Sequence, residues 1–384
     1  MIKKSTNKCI AIFCFYDSEG IVHDYVKYLL KQLSIISDEL IMVVNGSIDK
    51  NSFYDIKKYI SKIFVRKNSG FDGAAYKYVL SRITDIKIYD RIILCNDSFF
   101  GPIDDFYKIL KKMTNKNYDF WGLRYVDNGL IDYLESYFLV FERSVIHSGD
   151  LLEYFNDLKD INNAGYLEIC SCFERGLFSF LRSKNYRFGA YAFDNDNDIF
   201  YSADANLIKY NVPIIKRKIL NFNEYGVDQF RRILYYINEN SSYPIDLILE
   251  YYKYKYQKNY LEIDLKMEDT EKETNDIKIP MLKRNRKELI SFIEKNPSIY
   301  IYGTGCHAGN IWFEFKYYIK KFNGFIQSDD YFIDSKILFG EKILPISKVP
   351  NGSNIILAVG QSNEKNIYNN IYKKYKICKI FLVY

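Results

Sequence analysis

Short apolar runs alternate with helically spaced segments over the first hundred or so residues. Ile10–Tyr16 is a continuous apolar run of strand length, closed by a turn at Asp17–Gly20. In Ile21–Leu33 the apolar residues Val22, Val26, Leu29, Leu30 and Leu33 fall on one helical face. Leu40–Val44 predicts a second strand ending at Asn45–Gly46–Ser47, and a helix around Phe53–Ser61 leads to a third, Ile63–Val65. Gly73–Ile83 has helical spacing, and Arg91–Leu94 predicts a fourth strand ending in Cys95–Asn96–Asp97–Ser98. Strands that alternate with helices predict a mainly parallel sheet covered on both faces. Ligands of such sheets bind beyond the carboxyl ends of the strands. Three polar ends are therefore expected to converge on one crevice: Tyr16–Asp17, Asn45–Gly46–Ser47 and Asn96–Asp97–Ser98.

Farther along, Asp119–Leu123 and Tyr137–Phe141 predict strands of a more mixed region, Asn163–Ser183 a long helix, and Gly226–Tyr260 a Tyr-rich helical stretch. The charged stretches Glu268–Asp276 and Lys283–Lys287 lack a periodic pattern and predict a linker. The pattern then starts again. Ile299–Tyr302 reads as a strand, Gly303–Thr304–Gly305 as a turn into a helix reaching about Lys320, and Gly324–Ile326, Ile355–Val359 and Ile380–Val383 as further strands. The expected organisation is an α/β domain over 1–265, including a helical extension at about 222–265, then a linker at 266–296 and a small Rossmann-like α/β domain over 297–384.

At 384 residues, 48% hydrophobic and 27% charged, the composition excludes disordered and fibrous classes. The 37 Tyr and 28 Phe, against 2 Trp, make any one tyrosine more often a packing residue than a ligand contact. A net charge of +6 is the small difference of 54 basic and 48 acidic residues, and without an arginine stripe it gives no reason to expect nucleic acid. The seven cysteines (Cys9, Cys14, Cys95, Cys170, Cys172, Cys306 and Cys378) contain no C-x-x-C pair, and several lie in apolar runs. That usage fits reduced, buried thiols rather than a zinc site. The run after Lys3 and Lys4 is short and is broken by Asp17 and Glu19, so it reads as a strand and not a signal peptide. No stretch reaches the roughly 18 apolar residues of a membrane span. A cytoplasmic protein is expected, at most peripheral at the inner face of the cell membrane.

The chemistry concentrates in Leu94–Cys95–Asn96–Asp97–Ser98–Phe99–Phe100–Gly101–Pro102. An acid in the turn after a strand is well placed to hold Mg²⁺ or Mn²⁺ against a diphosphate, and equally suited to forming the turn and capping a helix near Ile103. This string, Asn68–Ser69–Gly70–Phe71–Asp72, Asp119–Phe120–Trp121–Gly122–Leu123, Ser136–Tyr137–Phe138 and Pro213–Ile214–Ile215–Lys216–Arg217 together resemble the rhamnan synthesis protein F family, in order over about residues 8–260. The resemblance implies a GT-A-like, mixed but mainly parallel nucleotide-binding sheet and an enzyme: a glycosyltransferase of surface-polysaccharide synthesis, often a rhamnosyltransferase.

It further implies that Cys95–Asn96–Asp97 stands where the family type has Asp-x-Asp, leaving Asp97 as the metal ligand with Asn96 beside it. Tyr16, Asp17 and Asn45 take the positions that grip base and ribose, Gly70 and Asp72 those near the sugar, and Lys216, ahead of Arg217, the position facing the departing diphosphate. For the base that deprotonates an acceptor hydroxyl, Glu168 in Tyr166–Leu167–Glu168–Ile169 fits best and Glu174 is its rival. The expected reaction is an inverting transfer from a dTDP-sugar to a lipid-linked glycan of a capsule, O-antigen or cell wall, with a divalent cation as cofactor. The alternative is a non-catalytic scaffold or nucleotide-binding module of a polysaccharide-assembly complex. A nucleotidyltransferase fits poorly, because Asp17–Ser18–Glu19–Gly20 is acidic where a basic glycine loop is needed.

Asp194, Asp196 and Asp198 alternate as in a calcium loop, but Ile199 and Ala205 stand where that loop needs Gly and Glu. His23, His147 and His307 lack metal-ligand spacing. Gly303 and Gly305 open a helix after a strand, with Asp329 and Asp330 downstream, a context suited to phosphate. It resembles small domains attached to polysaccharide-synthesis enzymes, for which a structural or docking role is expected and NAD or another dinucleotide is not.

Overall fold

The N-terminal apolar runs become adjacent parallel strands. In the computed structural model, which describes residues 8–127, 129–158, 161–163, 165–194, 199–256, 286–334, 337–359, 367–371 and 379–383, these are β1 (Cys9–Phe15), β2 (Glu39–Asn45), β3 (Lys62–Arg66) and β4 (Arg91–Asn96). They pair in the order β3-β2-β1-β4. Every residue of β1 is buried, as a run apolar on both faces requires. After the short strand β5 (Phe99–Phe100), β6 (Phe120–Asp127), β7 (Asp132–Leu134), β8 (Phe138–Glu142) and β9 (Phe188–Asp194) extend the sheet to eight strands. β8 runs antiparallel between β4 and β6, which makes the sheet mixed. β10 (Ile215–Lys216) leaves the sheet and pairs with β5 as a separate antiparallel ribbon.

Helices cover both faces. Asp24–Ile36 buries Tyr25, Val26, Leu29, Leu30 and Leu33 on one side, and Phe71–Leu80 and Gly176–Ser183 pack on the other. Several boundaries depart from the periodicity for local reasons. The first helix starts at Asp24, not Ile21, because Asp17 Oδ1 accepts the backbone amides of Glu19 (2.9 Å) and Ile21 (3.1 Å) and holds that segment as a turn. The helix expected near Ile103 starts at Phe106, capped by Asp105, because Phe99 and Phe100 are taken up by the ribbon. The expected helix Asn163–Ser183 is broken into Tyr166–Ile169, a π-helical turn Cys170–Arg175, and Gly176–Ser183. The Tyr-rich stretch divides into Val227–Asn240 and Asp246–Tyr256, with Pro244 in the break.

The end of the expected helical extension, and the expected linker as far as residue 285, lie outside the described residues. The remainder of that linker is not one: Arg286–Lys295 is a helix whose Leu289 and Ile293 are buried in the core of a second sheet. That sheet comprises β11 (Ser298–Tyr302), β12 (Lys321–Gln327), β13 (Ile337–Leu338), β14 (Glu341–Pro345), β15 (Asn354–Leu357) and β16 (Lys379–Leu382), in the order β13-β14-β12-β11-β15-β16. Only β13 is antiparallel to its neighbour.

The two sheets are joined by packing and charge. Leu130 and Ile131, from the turn between β6 and β7, sit in the second sheet's core. Asp132 accepts from both Arg182 and Arg286, and Arg286 also donates to the fully buried Glu314. Among the described residues no helix is long and apolar enough to cross a membrane.

Candidate functional site

Parallel pairing of β2, β1 and β4 sends their carboxyl ends the same way, so the three polar ends open at one edge of the sheet, as the strand pattern predicts. The β5–β10 ribbon folds over that edge and delivers Lys216 and Arg217; the Arg217 amide donates to the Ser98 carbonyl at 2.9 Å.

A polar chain runs through the crevice. Asn96 Nδ2 donates to Asp72 Oδ2 (2.8 Å), Ser98 Oγ donates to Asn96 Oδ1 (2.6 Å), and Lys216 Nζ donates to Ser98 Oγ (2.8 Å). The ammonium also lies 4.5 Å from the centre of the Tyr137 ring. Burial pushes the Lys216 pKa down, against the nearby negative charges of Glu135, Glu174 and Asp72, and burial pushes the Asp72 carboxyl up. Gly70 begins this region with φ +66°, and a Cβ there would meet the Ile161 carbonyl at 2.2 Å. Glycine is what lets the loop at Ile161 close against the helix that carries Asp72.

Asp97 is only 7% exposed, and its carboxylate already has partners. Arg217 Nη1 donates to its Oδ2 (3.2 Å) and to Tyr25 Oη (2.6 Å), while the backbone amides of Tyr16 and Asp97 also bond the carboxylate. Burial raises the Asp97 carboxyl and the Arg217 charge opposes that rise. This donor set does not fit the expected divalent cation. The guanidinium, 3.2 Å from Oδ2, supplies the positive charge that a metal would bring.

Tyr16 is 44% exposed at the crevice edge, free to stack. Asp17 spends Oδ1 on its turn, and its Oδ2 lies 3.7 Å from His23 Nε2. Asn45 departs from its expected role. It is 2% exposed, its amide donates to the Phe71 carbonyl (3.0 Å), and its Oδ1 accepts from Arg66 (2.5 Å). Both ends of the side chain are used within the protein, so Asn45 braces the crevice wall rather than presenting itself to a ligand.

The two candidate bases are placed very differently. Glu168 Oε2 accepts the Gly165 amide (2.8 Å), a local bond across its own helix start. Glu174 lies on the π-helical turn, accepts the Ser136 amide (2.7 Å), and shares the crevice with Glu135 and Lys216. Burial pushes the Glu174 carboxyl up to about 7; Arg175 opposes the rise and Glu135 adds to it. π-helical turns are frequent at functional sites.

Sequence reasoning missed Tyr25 and the Arg124–Glu135 ion pair (3.3 Å) behind Lys216. Only the folded β6–β7 hairpin brings that pair together, although Glu135 immediately precedes the Ser136–Tyr137–Phe138 string. A separate polar cavity of ≈ 550 Å³, lined by Tyr28, Lys108, Tyr191 and Tyr236 among others, contains none of these groups.

In the second sheet, Gly303 has φ +124°, and a Cβ there would lie 2.5 Å from the Ala358 carbonyl, whereas one on Gly305 would meet nothing within 4 Å. Asp329 Oδ1 accepts the Ser347 amide (3.1 Å). Of the aspartate run, 195–198 lie outside the described residues.

Three solved structures illustrate what the chain is similar to. A nucleotide-diphospho-sugar transferase from Desulfovibrio desulfuricans G20 is 13% identical, with 61% of this chain and 98% of that one covered and a TM-score of 0.31. A cytidylyltransferase from Leptospira borgpetersenii is 12% identical, with 61% and 95% covered and a TM-score of 0.32. Glucosyl-3-phosphoglycerate synthase from Mycobacterium tuberculosis, solved with Mn²⁺, UDP-glucose and phosphoglyceric acid, is 12% identical, with 46% and 79% covered and a TM-score of 0.28. No curated protein matches the chain. The model of one family, rhamnan synthesis protein F, matches residues 40–283, well over half of the 384 residues, and takes in β2 to β10 with Asp72, Asp97, Glu174 and Lys216. The chain therefore belongs to the rhamnan synthesis protein F family and is a glycosyltransferase.

Proposed function

We propose that the protein transfers L-rhamnose from a dTDP donor to a hydroxyl of a lipid-linked surface glycan, with inversion at the anomeric carbon. The observation that supports this best is the opposition, in one crevice, of a carboxylate with near-neutral proton affinity and a buried lysine. Glu174, in preference to Glu168, takes the proton of the acceptor hydroxyl. The acceptor oxygen forms its bond to the anomeric carbon as the bond from that carbon to the diphosphate oxygen breaks, and dTDP leaves with the electron pair. Lys216, steered by Ser98 and Asn96, meets the charge that develops on the diphosphate. Tyr16 stacks on the base, and Asp72 accepts from sugar hydroxyls.

Arg217 and Asp97 hold the ribbon against the strand ends, and no step runs through a metal. The membrane-facing acceptor is part of this proposal: a peripheral position at the inner face brings a lipid-linked glycan to the crevice.

Calorimetry and thermal shift against dTDP-rhamnose, UDP-glucose and GDP-mannose, with and without Mg²⁺ or Mn²⁺, test the reading. Selective stabilisation by dTDP-rhamnose, lost in Lys216→Ala, is expected. A chain that binds no sugar nucleotide would sink it, and binding that appears only with metal would overturn the role given to Arg217.

A further inference from the structure

The second sheet reaches the transferase crevice through one side chain. Asn310 lies on the helix Cys306–Phe315, which follows the Gly303–Gly305 turn, and that helix packs along the π-helical turn of the first unit. Its Oδ1 accepts from Ser171 Oγ (2.9 Å) and from Arg175 Nη1. Those two donors lie on either side of Glu174 within the same π-helical turn. The contact is close: Ser171 is 1% exposed, and a Cβ on Gly309 would come within 3.1 Å of its Oγ. One helical turn farther on, Ser179 Oγ donates to the Glu314 carbonyl (2.6 Å).

We infer that Asn310 is a positioning residue for the transferase crevice: by holding Ser171 and Arg175 it fixes the π-helical turn and keeps the Arg175 guanidinium from closing a direct ion pair with the Glu174 carboxylate. This rests on the reading of Glu174 as the base.

The Arg175 guanidinium lies 4.9 Å from the centre of the Tyr133 ring, and its Nε is buried without a partner among the described residues. The bond to Asn310, with the Tyr133 hydroxyl as a second partner, therefore orients the group. Without it, the guanidinium is adjacent in sequence to a carboxylate that it already attracts. A direct ion pair would favour the ionised form and make Glu174 a weaker base. The other groups facing Glu174 do not depend on Asn310. Glu135, Tyr133 and Tyr137 come from the β7–β8 segment, Lys216 from the ribbon, and Tyr166 and Cys170 from its own helix. On the second unit's side, His307 faces Arg175.

The experiment follows the Glu174 carboxylate itself in the full chain, labelled with ¹³C-carboxyl glutamate and assigned by the signal lost in Glu174→Gln. In Asn310→Leu the titration midpoint is expected to fall by about one pH unit. The acid limb of the pH profile for dTDP-rhamnose turnover should fall with it. Asn310→Asp still accepts from both donors and adds negative charge, so its midpoint should stay at the wild-type value or rise. Ser179→Ala breaks a neighbouring bond across the same interface and should leave the midpoint unchanged. A midpoint that Asn310→Leu leaves in place, or that Ser179→Ala moves equally, would reduce Asn310 to ordinary packing. A wild-type midpoint in the ordinary carboxylate range would instead overturn the assignment of Glu174 as base.

Discussion

After β4, the turn at the end of the first sheet is built from side chains: Asp72, Asn96, Ser98 and Lys216 form one hydrogen-bonded chain, and Asp97 is matched by Arg217. After β11, the corresponding turn of the second sheet is built from backbone. Gly303 is there because the Ala358 carbonyl occupies the space a Cβ would need, and the helix that follows is spent on Ser171, Arg175 and the charges around Glu314. A glycine-rich turn before a helix can thus be a device for close packing as readily as a phosphate cradle. What separates the two turns, among the described residues, is whether charged side chains converge on the opening.

The sharpest way to break that contrast is to mutate each turn and measure donor turnover. Lys216→Ala is expected to lower kcat for dTDP-rhamnose by about 10³-fold, the upper range for removing one group that meets developing charge. Gly305→Ala, where a Cβ meets nothing, should leave kcat within about twofold, since packing there is unaffected. The reverse pattern would move the chemistry to the second sheet.

Next in size is the junction. Glu314 is fully buried and accepts from Arg286, which also donates to Asp132. Glu314→Ala leaves Arg286 short of a partner in the interior and should cost about 3 kcal/mol in urea unfolding. Both sheets should unfold together. A loss confined to the second sheet would show two independent units. Gly303→Ala should cost less, about 2 kcal/mol, from the positive φ and the contact with Ala358. An unfolding midpoint equal to wild type would mean that the turn relaxes and that Gly303 is there for something other than packing.

The parallel core of the first sheet was legible because its strands are buried on both faces and read as unbroken apolar runs, β1 above all. Convergence of the three polar ends followed from that pairing alone. The π-helical turn was not legible. Its residues keep helical spacing, and the register changes only where the first unit packs on the second sheet, which places Glu174 in the crevice and leaves Glu168 on a local bond. Asn45 misled for a related reason: a polar residue at a strand end reads as a ligand contact unless Arg66, 21 residues away, is known to donate to it. The weak periodicity around β5 and β10 hid the ribbon that brings Lys216 and Arg217 to the strand ends.

The pH dependence set by Glu174 is the effect that separates function from stability most cleanly. Glu174 has an ordinary value of 4.5, which the unfolded chain keeps, and about 7 when folded. Below the unfolded value both states hold the proton, so the group contributes nothing to the pH dependence. As pH rises from 4.5 to 7 the unfolded chain gives up its proton first, and stability falls; the penalty is complete above the folded value. Glutamine has no proton to lose and still accepts the Ser136 amide. Glu174→Gln should therefore match wild type in acid and exceed it by up to about 3 kcal/mol at mildly alkaline pH, while sugar transfer is lost. Urea midpoints at two pH values check this. A gain equal at both would point to a packing effect, and no gain would mean that the carboxylate is solvated as in the unfolded chain. A pH-dependent gain together with lost turnover would show a site that holds its base ready at the expense of the fold.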